Sequence, residues 1–163
     1  MKNIILAIAI FSFTMVSAQV YKGKGDQKIH VGAGIQDRAT SINLAYYYGF
    51  GENFSAGIAS NYALGLSSGF DPKFGDRIDV KAMLNANIGS ILNIDDNFDL
   101  YPGLNIGIKN FGAHLGARYF FSDGLGVYVE FIAPISKYKT GTLTDANKLH
   151  NQISGNIGVA FNF

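Results

Sequence analysis

Arg118 and Glu130 are opposite charges that could meet inside a folded protein. They lie on either side of the turn-rich segment Ser122-Asp123-Gly124-Leu125, and a β-hairpin centred on Gly124 would place them on facing strands. Because an unpaired charge in a narrow, poorly hydrated interior is costly, we expect each to have an opposite partner there. The pair predicts either a structural ion pair or an ion-selective constriction.

A second pair of charges, Asp79 and Lys81, is two residues apart and therefore points to one face of a strand. A selective pore more often carries a ring of charges of one sign. The charges of Asp79, Lys81, Arg118 and Glu130 sum to zero. The sequence therefore favours an internally neutralised network that closes the interior, rather than a conducting channel.

The histidines and serines offer no recognisable catalytic or metal-binding motif. A metal site needs three or four converging ligands, and His114, His150 and Asp145 are the one conceivable set. A hydrolase needs a nucleophile, a base and an orienting acid within mutual reach. The residues of these types near one end of the predicted strands are Ser67, Ser68, Ser136, His114, His150, Asp37, Asp71 and Asp145. No motif connects them, so we predict a protein that is not an enzyme and has no cofactor or metal.

The elements that position these charges are predicted to be β-strands. The chain has 20 glycines, 13 phenylalanines and 9 tyrosines but 3 prolines, which disfavours a helical bundle. Apolar and polar residues alternate with a period of two in eight segments. These segments are Ile29 to Gln36, Thr40 to Tyr48, Phe54 to Leu64, Ile78 to Ile88, Phe98 to Ile108, Ala113 to Phe121, Gly126 to Ala133 and Leu149 to Phe163.

One face of every predicted strand is apolar, and the other holds polar residues and most of the glycines, with Ser60 and Gly155 as exceptions. Either a soluble barrel or sandwich with the apolar face inward, or a transmembrane barrel with that face outward, could produce this pattern. If the strands run up and down in turn, seven outward aromatic residues collect at one level, as in an interfacial girdle. They are Tyr46, Tyr48, Phe54, Tyr119, Phe121, Phe161 and Phe163. The predicted fold is therefore an all-β, eight-stranded, antiparallel, up-and-down transmembrane β-barrel.

The first 18 residues have the features of a cleavable signal peptide: Lys2, the apolar stretch Ile4 to Phe13 and the small-residue site Val16-Ser17-Ala18. Residues 19–27 are predicted to be a short periplasmic segment, and residues 28–163 the barrel. Without residues 1–18, twelve basic residues balance twelve acidic residues, which gives no reason to expect nucleic acid as a partner.

The stretches "YKGKGD" (21–26), "FGDRIDVKAMLNANIGS" (74–90) and "DLYPGLNIGIKNFGAHLGARYFF" (99–121) resemble small eight-stranded outer-membrane barrels. The architecture is similar to that of the OmpA and OmpX type, and the stretches themselves resemble an uncharacterised subgroup from Bacteroidota-type Gram-negative bacteria. This resemblance implies location in the outer membrane. It also implies that the aromatic end of the last strand is an assembly signal, formed by Phe163, Phe161, Val159 and Ile157.

Together, these observations predict a monomeric outer-membrane protein with a structural or surface-interaction role. Its expected partners are outer-membrane lipids, lipopolysaccharide and the outer-membrane assembly machinery. A small solute channel, a lipid-active barrel enzyme and a soluble secreted β-barrel that binds an apolar ligand are the alternatives.

Overall fold

The computed structural model describes residues 20–37, 39–67, 72–139 and 144–163, except the side chain of Asp145. The predicted signal peptide, residues 1–18, lies outside the described residues, as do Ser68 and Asp71. Eight strands, two short helices and one 3-10 turn (Phe74–Arg77) make up the described part of the chain. The strands are β1 (Gln27–Gln36), β2 (Ala39–Gly49), β3 (Phe54–Leu66), β4 (Ile78–Ala86), β5 (Phe98–Gly107), β6 (Asn110–Phe120), β7 (Leu125–Lys137) and β8 (Ser154–Asn162). The helices are α1 (Gly89–Leu92) and α2 (Asp145–His150). None of the helices in the described ranges is long and apolar enough to cross a membrane.

The strands form one closed barrel in which each pairs with its neighbours in sequence order. The first and last strands pair antiparallel and complete the closure, with Ile29 opposite Phe161 and Val31 opposite Val159. All other neighbouring strands are antiparallel as well. The predicted eight-stranded, antiparallel, up-and-down barrel is therefore confirmed.

The apolar face of the strands points outward. Leu44 is 54% exposed and Phe131 59% exposed, whereas the polar residues that alternate with them are buried. A soluble barrel requires the reverse arrangement, with its apolar side chains inside. The direction of the two faces therefore contradicts the soluble alternative.

The seven aromatic residues of the predicted girdle all lie on this outer face and are 38 to 71% exposed. Strand pairing places them near one end: Tyr46 and Phe161 both pair with Ile29, and Phe98 is opposite Tyr119. We call this the lower end, and it also carries the 20–26 segment and the short links 50–53 and 121–124. The opposite end, which carries α2, is called the upper end.

The prediction of the last strand was wrong at its start. Residues 145–150 form α2 instead, with the Thr144 side chain accepting a hydrogen bond from the Asn147 amide as an N-cap. Leu149 is completely buried beside Ala39 and Ala63. This short helix buries Ala146 and Leu149 three residues apart, and over so few residues a period-two pattern does not distinguish a helix from a strand.

Glycine is required where neighbouring strands approach closely inside the barrel. A Cβ atom at Gly158 would lie 2.2 Å from the Val31 carbonyl oxygen and 2.4 Å from the Gly32 Cα atom, and neither backbone atom can move freely. A Cβ at Gly155, on the same strand, would make ordinary contact with the Phe131 ring at 3.6 Å.

We expect Gly158→Ala to lower the free energy of unfolding by about 1 to 3 kcal/mol because the added methyl group overpacks the β1–β8 seam. Urea unfolding of the refolded protein in lipid vesicles measures this change. Gly155→Ala is the matched control and should remain within about 0.5 kcal/mol of the parent protein. Equal effects of the two substitutions would contradict the close approach at Gly158.

Candidate functional site: the polar interior of the barrel

Arg118 on β6 forms a buried ion pair with Asp99 on β5, with its Nη2 atom 2.6 Å from Oδ2. The same Nη2 atom donates to Asn87 Oδ1 at 2.8 Å, and the guanidinium lies over the Tyr101 ring at 4.7 Å. The other Asp99 oxygen accepts a hydrogen bond from the Gly89 amide at 3.0 Å. Both charged side chains are at most 2% exposed, so solvent does little to screen the pair.

The predicted pairing of Arg118 with Glu130 was wrong. Arg118 is opposite Tyr128, and Glu130 is opposite Gly116, so the hairpin register differs by two residues from one centred on Gly124. A shift of two residues preserves the side-chain face, and both charges therefore still point inward. The error arose because several residues of the 122–125 segment are good turn formers and the pattern does not choose between neighbouring centres.

Glu130 is bound by neutral groups. Its carboxylate accepts hydrogen bonds from the Tyr47 hydroxyl at 3.1 Å and from the Asn156 side-chain amide at 3.5 Å. Asn156 lies directly opposite Glu130 on the adjacent strand β8, whereas Tyr47 lies on β2, so the Tyr47 bond crosses the interior. Glu130 therefore connects the walls of the barrel rather than neutralising Arg118.

Asp79 and Lys81 form an ion pair nearer the upper end, with Lys81 Nζ 3.2 Å from Asp79 Oδ2. Lys81 also donates to Asn110 Oδ1 at 2.7 Å, and both charged residues are buried. Their predicted inward direction matches the structure. The four predicted charges nevertheless belong to separate clusters: Asp79 and Lys81 in one, and Arg118 and Glu130 each with other partners.

Two acidic partners, Asp26 and Asp99, and the base Lys28 were not identified from the sequence. Lys28 Nζ is 2.6 Å from Asp26 Oδ2 and donates to Asn162 Oδ1 at 3.0 Å. Lys28 and Asp99 could have been found from the alternation, since each adjoins outward apolar residues in its strand. Asp26 precedes the first strand and carries no such signal.

The three histidines lie in separate environments. His30 stacks on Tyr128 with ring centroids 4.2 Å apart, and His114 Nε2 is 2.7 Å from Asn85 Oδ1. His150, outside the strands, donates from Nε2 to the Asp76 carbonyl oxygen at 2.6 Å, and burial lowers its pKa below the usual value. No cluster of three or more His, Cys, Asp or Glu residues suited to a metal ion occurs in ranges 20–37, 39–67, 72–139 and 144–163. The Asp145 side chain, part of the conceivable metal set, lies outside the described residues.

The 20–26 segment covers the lower end of the interior. Val20 packs against Phe120, Tyr128 and Ala160, and the amide of Gly25 donates to the Gly49 carbonyl at 2.7 Å. The hydroxyl of Tyr21 donates to the carbonyl of Gly51 at 3.0 Å. Burial, reinforced by the nearby Asp26 carboxylate, raises the pKa of Tyr21 to about 12, which keeps this hydroxyl protonated.

Helix α2 covers the upper end. Asn110 donates from Nδ2 to the carbonyl of His150 at 2.9 Å and to Asn151 Oδ1 at 2.8 Å, while Gln36 donates to the Leu149 carbonyl at 2.7 Å. These bonds join the helix to β1 and β6 on different parts of the rim. Ser136 lies on this rim opposite Phe111, and no described residue connects it to a histidine by a hydrogen bond.

We expect Asp99→Asn to lower the free energy of unfolding by about 3 kcal/mol, because it leaves Arg118 buried without a counter-charge. The Asp99 carboxylate accepts hydrogen bonds from Arg118 Nη2 and from the Gly89 amide. In the variant, the side-chain NH2 group of asparagine faces one of these two donors and cannot accept from it. Glu130→Gln is the matched comparison and should cost about 1 kcal/mol, because an amide oxygen still accepts from Tyr47. If both substitutions lowered the free energy of unfolding equally, Arg118 would be stabilised equally by the two carboxylates.

Comparison with solved structures shows the class of fold. A structure reported under "De novo design of transmembrane beta-barrels" is similar to this chain with a TM-score of 0.54 and 13% sequence identity, covering 87% of this chain and 98% of the designed one. The solution NMR structure of Outer Membrane Protein G from Pseudomonas aeruginosa gives a TM-score of 0.49 at 13% identity, covering 88% and 99% of the two chains. The closed barrel with its apolar face outward, together with its likeness to the designed barrel, shows a transmembrane β-barrel fold.

Sequence comparison shows the family. No curated protein gives a significant match. The model of a family of unknown function, DUF6646, matches residues 11–163, and the chain belongs to that family.

Proposed function

We propose that this protein is an outer-membrane β-barrel with a structural or surface-interaction role, whose interior is closed by its polar network. The observation that carries this proposal is the burial of the interior charges. Lys28 is 0% exposed, Glu130 1% and Arg118 2%, and each is bound by neighbouring side chains. A water-filled conducting pathway would leave such groups hydrated.

The covered ends support the same proposal. The 20–26 segment is held at the lower end by backbone hydrogen bonds and by the Lys28–Asp26 ion pair. Helix α2 is held at the upper end through Asn110 and Gln36. Because the covers use independent contacts, a solute would have to displace both of them as well as the interior side chains.

In this proposal the lower end faces the periplasm and the upper end faces the outside. The short 50–53 and 121–124 turns and the aromatic girdle at the lower end, with the long 67–77 and 138–153 links at the upper end, support this orientation. The long 87–97 link at the lower end and the short 108–109 link at the upper end depart from this pattern. The kinship to the OmpA and OmpX type and to a Bacteroidota-type subgroup stays a prediction. So do export by a cleaved signal peptide, a monomeric state, contact with lipopolysaccharide and the absence of enzymatic activity.

Planar-bilayer recording of the refolded full chain tests closure. We expect no discrete conductance from the parent protein. Asp26→Asn should produce intermittent openings, since it removes the counter-charge of Lys28 and loosens the lower cover. Asp123→Asn, which changes an acidic residue in the exposed 121–124 turn, is the control and should stay silent. Stable, discrete channels in the parent protein would refute the closed interior and support the porin-like alternative.

We further propose that the end of β8 is an assembly signal. Ile157, Val159 and Phe161 alternate along the outer face, and Phe163 is 71% exposed while its amide donates to the Gln27 carbonyl at 3.1 Å. The apolar stripe is therefore available to another protein before the barrel closes, and to lipid afterwards.

Removal of Phe163 should reduce the folded, heat-modifiable form in the outer-membrane fraction several-fold while leaving refolding from urea nearly unchanged. Refolding should change little because Phe163 supplies one backbone hydrogen bond, which is a small part of barrel stability. Phe50→Ala, at an exposed aromatic residue of a lower-end turn, is the control. Normal folded levels of the truncated protein in cells would argue against the assembly role.

A further inference from the structure

The upper rim contains a cleft with a volume of about 360 Å3 between the short β5–β6 link, the end of β7 and the start of α2. We call it the rim cleft, and its principal lining residues are Asp76, Ile108, Lys109, Tyr138 and Lys139. The amide of Tyr138 donates to the Lys109 carbonyl at 3.2 Å. This backbone bond holds the two lysine-bearing segments side by side.

Within the described residues, the ammonium groups of the rim cleft are not fully neutralised. Lys139 makes no hydrogen bond or ion pair with the residues in the described ranges, and the contact of Lys109 is a long 3.5 Å bond to the Ile78 carbonyl. The Asp76 carboxylate also lines the cleft. The backbone carbonyl of Asp76 accepts a hydrogen bond from His150. Among the described side chains of the cleft, two cations face one anion, which gives this part of the rim a net positive charge.

The upper end as a whole is also more basic than the lower end. In the sequence, the links at the upper end, with the adjoining Lys137, hold seven basic and four acidic residues: Arg38, Lys73, Arg77, Lys109, Lys137, Lys139 and Lys148 against Asp37, Asp71, Asp76 and Asp145. The exposed links at the lower end hold Lys22 and Lys24 against Glu52, Asp95, Asp96 and Asp123. A diffusing or membrane-bound anion is therefore attracted to the upper end.

An apolar stripe leads from the membrane-facing belt into the rim cleft. Leu104, Ile106 and Ile108 point outward in succession and are 46, 56 and 74% exposed. Lys109 follows directly after them, so the charged rim begins where the apolar stripe ends. The arrangement matches an amphiphile that lies with its hydrocarbon chain along β5 and its polar group at the lysines.

From this geometry we propose that the rim cleft binds the phosphorylated headgroup of an anionic lipid in the adjoining leaflet, with one acyl chain along Leu104, Ile106 and Ile108. A phosphate offers several acceptor oxygens to two ammonium groups with freely rotating donors. This inference rests on the proposed function for which leaflet supplies the lipid. The binding itself does not depend on that function.

The test uses the full chain folded in neutral detergent, with phosphatidylglycerol added as the probe and lipid occupancy measured by native mass spectrometry. We expect the double variant Lys109→Gln, Lys139→Gln to bind phosphatidylglycerol about 30-fold more weakly, because each position loses the attraction of one surface lysine for the anionic headgroup. The double variant Lys22→Gln, Lys24→Gln has the same change in net charge at the lower end and should retain parental affinity. Equal weakening in both variants would overturn the proposed site.

Two further measurements identify what the cleft recognises. Raising salt from about 50 to about 500 mM should weaken phosphatidylglycerol binding to the parent protein, and an unchanged affinity would refute the electrostatic contact. Phosphatidylcholine should bind poorly, and glycerol phosphate should compete only weakly. Competition by glycerol phosphate at the lipid's own affinity would show a site for a free anion and refute the lipid proposal.

This outcome is separable from that of the proposed function. Binding by the purified protein tests the rim cleft whichever way the barrel is inserted. Protease protection of the upper links in intact cells tests the orientation, and bilayer recording tests the closed interior. Lipid binding without surface exposure of the upper end would leave the site in place and refute the assigned leaflet.

Discussion

Closure of the β1–β8 seam is the constraint on which the rest of the structure depends. A strand edge in hydrocarbon would leave backbone donors and acceptors unpaired at several kcal/mol each, and a closed barrel has no such edge. The seam pairs Lys28 through Gln36 with Ser154 through Asn162 along nearly the whole of both strands. The close backbone approach at Gly158 lies within this seam.

Closure also determines the character of the interior. Because the apolar residues face outward, an eight-stranded barrel must fill its narrow centre with polar and small side chains. Charges are tolerated there when they are paired, and Lys28 with Asp26, Arg118 with Asp99, and Lys81 with Asp79 are paired. These bonds join neighbouring parts of the interior, and in the proposed function they also occupy the space that a permeating solute would need.

The two ends of the barrel have different physical characters. The lower end combines an aromatic girdle with an N-terminal segment in which Val20, Tyr21 and Asp26 are buried, whereas the upper end combines a capping helix with a basic rim. In the proposed orientation, contact with the surroundings is concentrated on the upper rim, because the interior bases Lys28, Lys81 and Arg118 are buried with acidic partners.

Local alternation allowed the strands, their outward faces, the aromatic girdle and the inward direction of Arg118, Glu130, Asp79 and Lys81 to be read from the sequence. Side-chain direction in a strand depends on parity, which survives an error of two residues in register. The partners of the charges depend on the register itself and on strands distant in sequence. For this reason the pairing of Arg118 with Asp99, the bonds from Tyr47 and Asn156 to Glu130, and the seating of α2 by Asn110 were decided by the tertiary structure alone.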